Sequence, residues 1–372
     1  MKRVLLLYIS EHSGHHCASM AIENALHELE ADIKTLNINS FNYTNPILEK
    51  IINRVYMEVI QKKPEIWDYL YDNPKVLKNT QKLRGMIHKF NTDKLKTLLD
   101  EFRPDAIVCT QAFPCGMVAD YKKSFNCGIP IVAVLTDYAP HSYWIYNNVD
   151  VYIVPSECTG NKLIYNGIDS SRIKPFGIPV DPKFRKTIES DRRRICDKLG
   201  LDKDKRFVLI MGGTQGLGPI KEVSKLLDAS GIDMQMIIAT GTNKKLYNWL
   251  KARRFHKKIT ILPYVQNIDE FMQISSLILT KPGGITTAEA LTKGLPMLIV
   301  NPLPGQEAMN TRYLLAEGVA VKAECPDDVP AILEELLYNE AKLNTMREKA
   351  VTLSRPNSSL DIAKLILELA NK

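Results

Sequence analysis

Apolar residues along this chain fall in short unbroken runs separated by stretches of helical period. In the first half the runs are Val4–Ile9, Asp105–Cys109, Pro130–Leu135 and Val151–Val154. They are too short for ordinary helices and too apolar for half-exposed strands, so the pattern predicts strands buried on both faces. Between them, Cys17–Glu30, Cys115–Phe125 and Glu157–Tyr165 carry helical spacing. Alternating strand and helix predict a parallel sheet covered by helices. The stretch GIPVDPKFRK, Gly177–Lys186, breaks this rhythm with two prolines and a glycine and reads as a hinge. The alternation then restarts, with strands expected at Phe207–Met211, Met234–Thr240, Ile259–Leu262, Leu277–Thr280, Met297–Val300 and Val319–Lys322. A last helix is expected near Ser359–Asn371.

The fold class expected is therefore α/β, with two doubly wound Rossmann-like domains. Residues 1–178 form the first, 187–355 the second, and 356–372 a terminal helix for which crossing back to the first domain is left open by the sequence. Ligands of such sheets bind outside the C-terminal strand ends, so a site in a cleft between the two domains is expected.

Residues 45–101 interrupt the first domain as a helical insertion, with Ile47, Ile51, Ile52, Val55, Tyr56 and Val59 at helical spacing. The formal net charge of the chain is +7, and residues 50–96 hold eleven Lys/Arg against five Asp/Glu. Most of the imbalance thus sits in one segment, which also carries Trp67. A solvated helical face accounts for such a pattern. So does a surface for anionic lipid headgroups, built on Lys75, Lys78, Lys82, Arg84 and Lys89. No nucleic-acid recognition motif accompanies the charge, so nucleic acid is not an expected partner. No run of eighteen apolar residues occurs, so no transmembrane helix is expected. Seven cysteines without a CxxC pair fit reduced thiols of a cytosolic protein.

Three strand ends carry chemistry. The strand Phe207–Met211 leads into GGTQGLG, Gly212–Gly218, where small residues admit close approach of a ligand to the backbone. No GK[ST] follows and the spacing is not GxGxxG, so this is not a P-loop or a dinucleotide fingerprint; a mere tight turn is the alternative to a ligand-binding turn. The strand Leu277–Thr280 leads into KPGGITTAEALTKGLP. A glycine turn that opens a helix suits a diphosphate, and Glu289 further along that helix suits a ribose diol. The strand Met297–Val300 leads into NPLPGQEAMN, which places Gln306, Glu307 and Asn310 at a helix start. The pair Asp202–Asp204 has the DxD form of some metal sites, but it lies in a charged turn at the opposite end of its strand from GGTQGLG, and no metal is expected there.

KPGGITTAEAL followed by PGQEAMN resembles glycosyltransferase family 28. SGHHCAS near the N-terminus and TDYAPHSYW, Thr136–Trp144, are similar to loops of the branch that holds monogalactosyldiacylglycerol synthases and processive diacylglycerol glucosyltransferases. The resemblance runs from Val4 to about Gly318. It implies a GT-B fold, with a UDP-sugar in the C-terminal domain and a lipid acceptor in the N-terminal one. It places Gly212, Gly213 and Thr214 at the diphosphate and the backbone near Val265 at uracil. Pro282, Gly283, Gly284, Ile285 and Thr286 would cradle phosphates and nucleoside, with Glu289 on the ribose and Gln306 and Glu307 on the sugar hydroxyls. Gly14 belongs to the glycine–histidine loop, which carries Ser13 where relatives often have more glycine.

The implied reaction is inverting transfer of glucose or galactose from the UDP-sugar to diacylglycerol, at the inner face of the cell membrane. An attacking alcohol must lose a proton, and histidine titrates in the right range to take it. His15 matches the family's Gly–His pair; His12 and His16 are its neighbours. Asp137 would orient His15 or accept the proton itself, and His141 and Trp144 would line the acceptor side. Glycine-loop N–H groups and helix N-termini would stabilise the departing UDP, with no cofactor required. The competing readings are N-acetylglucosaminyl transfer to a lipid-linked peptidoglycan precursor, UDP-N-acetylglucosamine 2-epimerisation, and a nucleotide-sugar sensor without turnover.

Overall fold

The computed structural model describes residues 1–44, 92–185, 191–303 and 305–371. Two compact units emerge. The first gathers Met1–Pro182, Pro304–Gln306 and Asn357–Lys372, the second Lys183–Leu303 and Glu307–Pro356.

The first unit is built on six parallel strands: β1 (Arg3–Tyr8), β2 (Lys34–Asn39), β3 (Ala106–Cys109), β4 (Ile131–Val134), β5 (Val151–Ile153) and β6 (Ile173–Lys174). Their order in the sheet is β2-β1-β3-β4-β5-β6. Side chains alternate between the two faces, as the strand period requires. Leu5 and Leu7 of β1, with Ile107 and Cys109 of β3, enter one core, with Leu95, Leu98, Leu99 and Phe102 of the helical residues 92–102. Val4 and Leu6, with Ala106 and Val108, enter the other, formed with the helices Gly14–Leu29 and Ser358–Leu369. Each fully buried leucine contributes about 1.5–3 kcal/mol. The terminal helix is fastened at its start: Ser358 Oγ donates to Ile178 O at 2.8 Å, and Ser359 Oγ to Val180 O at 2.6 Å.

The second unit holds β7 (Arg206–Met211), β8 (Met234–Ala239), β9 (Ile259–Leu262), β10 (Leu277–Thr280), β11 (Met297–Val300) and β12 (Ala320–Ala323). Their order is β12-β11-β10-β7-β8-β9, all parallel.

Two strands go beyond the sequence expectation, β2 and β6. KTLNIN mixes polar and apolar residues, and β6 is two residues long. Both are edge strands, where only one neighbour and partial burial are available, so the apolar run that marks a central strand is missing. The first helix begins at Gly14, three residues before the expected Cys17. Its cap explains this: Ser13 is extended at φ −89°, and its side chain accepts the N–H of His16.

The strand orders matter for function. In the first sheet β1 is flanked by β2 and β3, so the order reverses between β1 and β3. In the second it reverses between β7 and β10. Helices following the two strands at such a point depart to opposite faces and leave a crevice at the strand ends.

Candidate active site

His15 lies just past β1, in the first turn of the helix Gly14–Leu29. The loop before it is tightly shaped. Ser10 and His12 take left-handed backbone angles, φ 66° and 56°. Ser13 Oγ donates to Ile9 O at 2.9 Å. The ring of His16 stacks on Tyr8, with centroids 4.3 Å apart, and its Nδ1 accepts the N–H of His12 at 3.3 Å. Burial lowers the His16 pKa despite the opposing charge of Glu11. His16 therefore braces the loop with the lone pair a base would need.

His15 is held from the neighbouring strands. Its Nδ1 lies 2.8 Å from the carbonyl oxygen of Thr110, the residue after β3. A carbonyl only accepts, so Nδ1 carries the proton and Nε2 keeps its lone pair. Thr136 Oγ1, beyond β4, is a second contact of Nδ1 at 3.2 Å. Thr110 also donates its hydroxyl to His15 O at 2.9 Å, gripping the residue at backbone and ring together. Burial pushes the imidazole pKa down; the Asp137 carboxylate and the Thr110 carbonyl act against that. The result is a neutral imidazole with a fixed tautomer at the β1/β3 reversal. Asp137 follows β4, is half-buried, and acts on His15 through its charge. His141 is half-buried, its ring edge-on to Tyr143 at 5.4 Å between centroids. Trp144, expected on the acceptor side, sits in the core at 5% exposure, where so large an indole serves packing.

The second unit brings two motifs to one reversal point. GGTQGLG follows β7 and KPGG follows β10, and these strands pair with Met211 opposite Thr280. Thr280 Oγ1 donates to Met211 O at 2.7 Å, which locks the two strand ends together. The GGTQGLG turn folds onto the end of β8: Thr242 N–H donates to Thr214 O at 2.8 Å. The helix after it begins at Ile220, one residue beyond the expected Pro219. The helix Gly284–Thr292 is capped by Gly283, with no side chain blocking its first N–H groups. Gly284, Ile285 and Thr286 are buried in its first turn, Pro282 is buried before it, and Glu289 is half-buried further on. Val265 is half-buried in the segment after β9.

Gln306 opens the helix Gln306–Ala316 and is half-buried. Glu307 is buried: its Oε1 accepts from Lys281 Nζ, and its Oε2 accepts the N–H of Leu303 at 2.8 Å. Asn310 Nδ2 donates to Pro282 O at 3.0 Å, tying this helix to the glycine turn after β10. Sequence reasoning passed over Thr110, Thr136 and Lys281. The first two lie 95 and 121 residues from His15, and only the strand order brings them to it.

Trp67, Lys75, Lys78, Lys82, Arg84 and Lys89 lie outside the described residues, as does most of the 45–101 insertion. Among the described residues, no helix is long and apolar enough to cross a membrane, and no group of three or more His, Cys, Asp or Glu could hold a metal. Asp202 of the DxD pair uses its carboxylate to accept the N–H of Asp204 at 3.1 Å.

The family model for monogalactosyldiacylglycerol (MGDG) synthase matches residues 15–180, and that for the glycosyltransferase family 28 C-terminal domain matches 207–366. The processive diacylglycerol beta-glucosyltransferase of Bacillus subtilis is 30% identical, over 99% of this chain and 95% of its own length. That of Bacillus licheniformis is 29% identical with the same coverage. Among solved structures, S. aureus MnaA with UDP has a TM-score of 0.65 at 18% identity, covering 100% of this chain and 98% of that one. Acinetobacter baumannii MurG has 0.62 at 16%, covering 99% and 100%. These likenesses establish a GT-B-like fold of two Rossmann-like units. With both family models laid end to end along the two units, and relatives matched over nearly its whole length, the chain belongs to glycosyltransferase family 28, in the branch of the processive diacylglycerol glucosyltransferases.

Proposed function

We propose that this chain transfers a hexose from a UDP-sugar to the hydroxyl of diacylglycerol with inversion at the anomeric carbon, and that His15 is the general base. The observation that carries the reading is the meeting of KPGG and GGTQGLG at one reversal of strand order, with Glu307 fixed beside them. Such a crevice holds a diphosphate by backbone N–H groups and leaves carboxylates for hydroxyls. Gly212, Gly213, Thr214, Gly283, Gly284 and Thr286 take the phosphates, Val265 and Ile285 the nucleoside, Glu289 the ribose, and Gln306 and Glu307 the sugar.

In the reaction, Nε2 of His15 takes the proton of the acceptor hydroxyl as its oxygen attacks the anomeric carbon. The bond from that carbon to the diphosphate oxygen breaks, and UDP leaves with the electron pair. Asp137 stabilises the imidazolium so formed, as a carboxylate near a developing cation does. The names of the relatives favour glucose over galactose as the hexose. The site of action is the inner face of the cell membrane, with the basic 45–101 insertion meeting anionic headgroups.

The test incubates purified protein with radiolabelled UDP-glucose or UDP-galactose and diacylglycerol liposomes, with and without anionic lipid. Label is expected in the lipid phase from UDP-glucose, and more of it with anionic lipid. No lipid label from either donor would overturn the reading. Transfer to a lipid-linked peptidoglycan precursor, or 2-epimerisation of UDP-N-acetylglucosamine, would replace it.

A pH dependence follows from the same geometry. Burial sets the His15 pKa below the ordinary imidazole value, while the charge of Asp137 raises it part of the way back. The acid limb of kcat/KM reports protonation of the base, so activity falls as pH drops through that pKa. Asp137→Asn removes the raising influence and moves the limb to lower pH. Its kcat drops by about tenfold or more, because the imidazolium loses its counter-charge. An acid limb that stayed in place or rose would show that Asp137 does not act on the base.

A further inference from the structure

Lys281 of the second unit has no part in the chemistry above. Lys281 directly follows β10 and begins the KPGG turn. Its ammonium bonds Glu307 Oε1. Both partners are largely buried, with side chains 16% and 10% exposed. The lysine stem also runs close to the GGTQGLG turn: a Cβ added at Gly213 would lie 3.8 Å from Lys281 Cε. One side chain therefore links three segments, the turn after β7, the turn after β10 and the helix after β11. These are the segments assigned to diphosphate, phosphate–nucleoside and sugar.

Charge explains why a lysine is useful there. A UDP leaving group carries several negative charges, and glycine N–H groups offer only partial positive ones. An ammonium beside the glycine turn supplies a full charge at a partly dry site, where it counts for more than in water. The same ammonium holds the carboxylate of Glu307, whose second oxygen is fixed by the Leu303 N–H. A carboxylate held on both sides keeps one orientation and still has lone pairs for sugar hydroxyls.

We propose that Lys281 ties the diphosphate end of the donor to the carboxylate that reads its sugar, its ammonium being shared between Glu307 and the diphosphate oxygens once the donor is bound. Lys281 is thus a binding residue for the diphosphate and a positioning residue for Glu307. The proposal rests on the second unit holding the UDP-sugar.

Four variants test it: K281M, K281R, E307Q and K281M/E307Q. UDP affinity is measured by calorimetry, which needs no turnover. KM and kcat come from initial rates with UDP-glucose and diacylglycerol liposomes. K281M is expected to weaken UDP binding about tenfold or more, the loss typical of a charge-assisted hydrogen bond. K281R restores most of that affinity. E307Q binds UDP at least as tightly as wild type, because the ammonium is released toward the diphosphate, yet KM for the UDP-sugar rises. The combined loss of kcat/KM in K281M/E307Q is smaller than the product of the single losses, by about threefold or more.

K281M leaves a buried carboxylate uncompensated and is the variant most exposed to misfolding. K281M/E307Q removes both charges and keeps the UDP measurement available. Wild-type UDP affinity in folded K281M or in the double variant would overturn the proposal. So would a K281R that fails to restore binding, or single losses in kcat/KM that multiply. A wild-type chain that binds UDP but labels no lipid would sink the hexosyl-transfer reading, while the UDP arm would still decide on Lys281.

Discussion

His15→Ala is expected to lower kcat by about 10²–10⁴-fold, the range by which a positioned general base accelerates proton transfer. UDP affinity should stay within about twofold, because every residue assigned to UDP belongs to the other unit. The Thr110 carbonyl 2.8 Å from Nδ1 makes this prediction specific. With the proton fixed on Nδ1, the ring presents a basic Nε2 before any substrate arrives, so no tautomer change precedes attack. His15→Asn provides the sharper form of the test. Its amide keeps a donor for the Thr110 carbonyl but has no lone pair of comparable basicity, so the fold survives and turnover does not. Initial rates with saturating UDP-glucose, beside UDP calorimetry and a melting curve, separate the outcomes. An Asn variant that turns over like wild type would remove His15 from the chemistry and leave Asp137 as proton acceptor. His12→Ala and His16→Ala are controls that disturb the loop, since the His16 ring braces it through Tyr8 and the His12 N–H.

The division between what the residues announce and what only the fold reveals is clear at this histidine. Val4–Ile9 reads as a buried strand because its own residues form an unbroken apolar run, and His15 follows it in a loop marked by glycine and serine. The helix start at Gly14 is hidden, because Gly-His-His is a poor helix former and the Ser13 cap overrides it. The partners of the ring are further out of reach. Thr110 and Thr136 are ordinary threonines after ordinary strands, and their meaning depends on β3 lying beside β1. Nothing in the local pattern encodes that order. Lys281 was concealed differently: a lysine at a strand end reads as a solvated charge, and burial against Glu307 appears only when β10 and β11 are side by side. Trp144 is the converse case, a loop aromatic in sequence that the structure sets in the core at 5% exposure.

The glycines of the second unit look alike in sequence, and the structure separates them into two kinds. Gly216 has φ +56°, and a Cβ there would fall 2.1 Å from Thr240 O. Gly241, in the facing turn, has φ +55° and would place a Cβ 2.1 Å from Thr214 O. These two turns interlock backbone to backbone, so neither neighbour yields cheaply. Gly216→Ala is expected to cost about 2–4 kcal/mol, from the left-handed backbone and the forced separation together. In a unit of this size that lowers Tm by roughly 5–15 °C. Gly283 differs on both counts. Its φ is −66°, which any residue adopts, and an added Cβ would meet nothing within 4 Å. The fold does not ask for glycine at 283. A diphosphate lying against the start of the helix Gly284–Thr292 does, because a methyl group there would hold the phosphate off the N–H groups. Gly283→Ala is therefore expected to melt within about 1–2 °C of wild type, as a surface substitution does. Its UDP affinity should fall about tenfold or more, the worth of lost charge-assisted hydrogen bonds. Melting curves and UDP calorimetry on the two variants decide the matter. A Gly283→Ala protein that binds UDP as wild type does would move the diphosphate away from this turn, whatever the fate of Gly216→Ala.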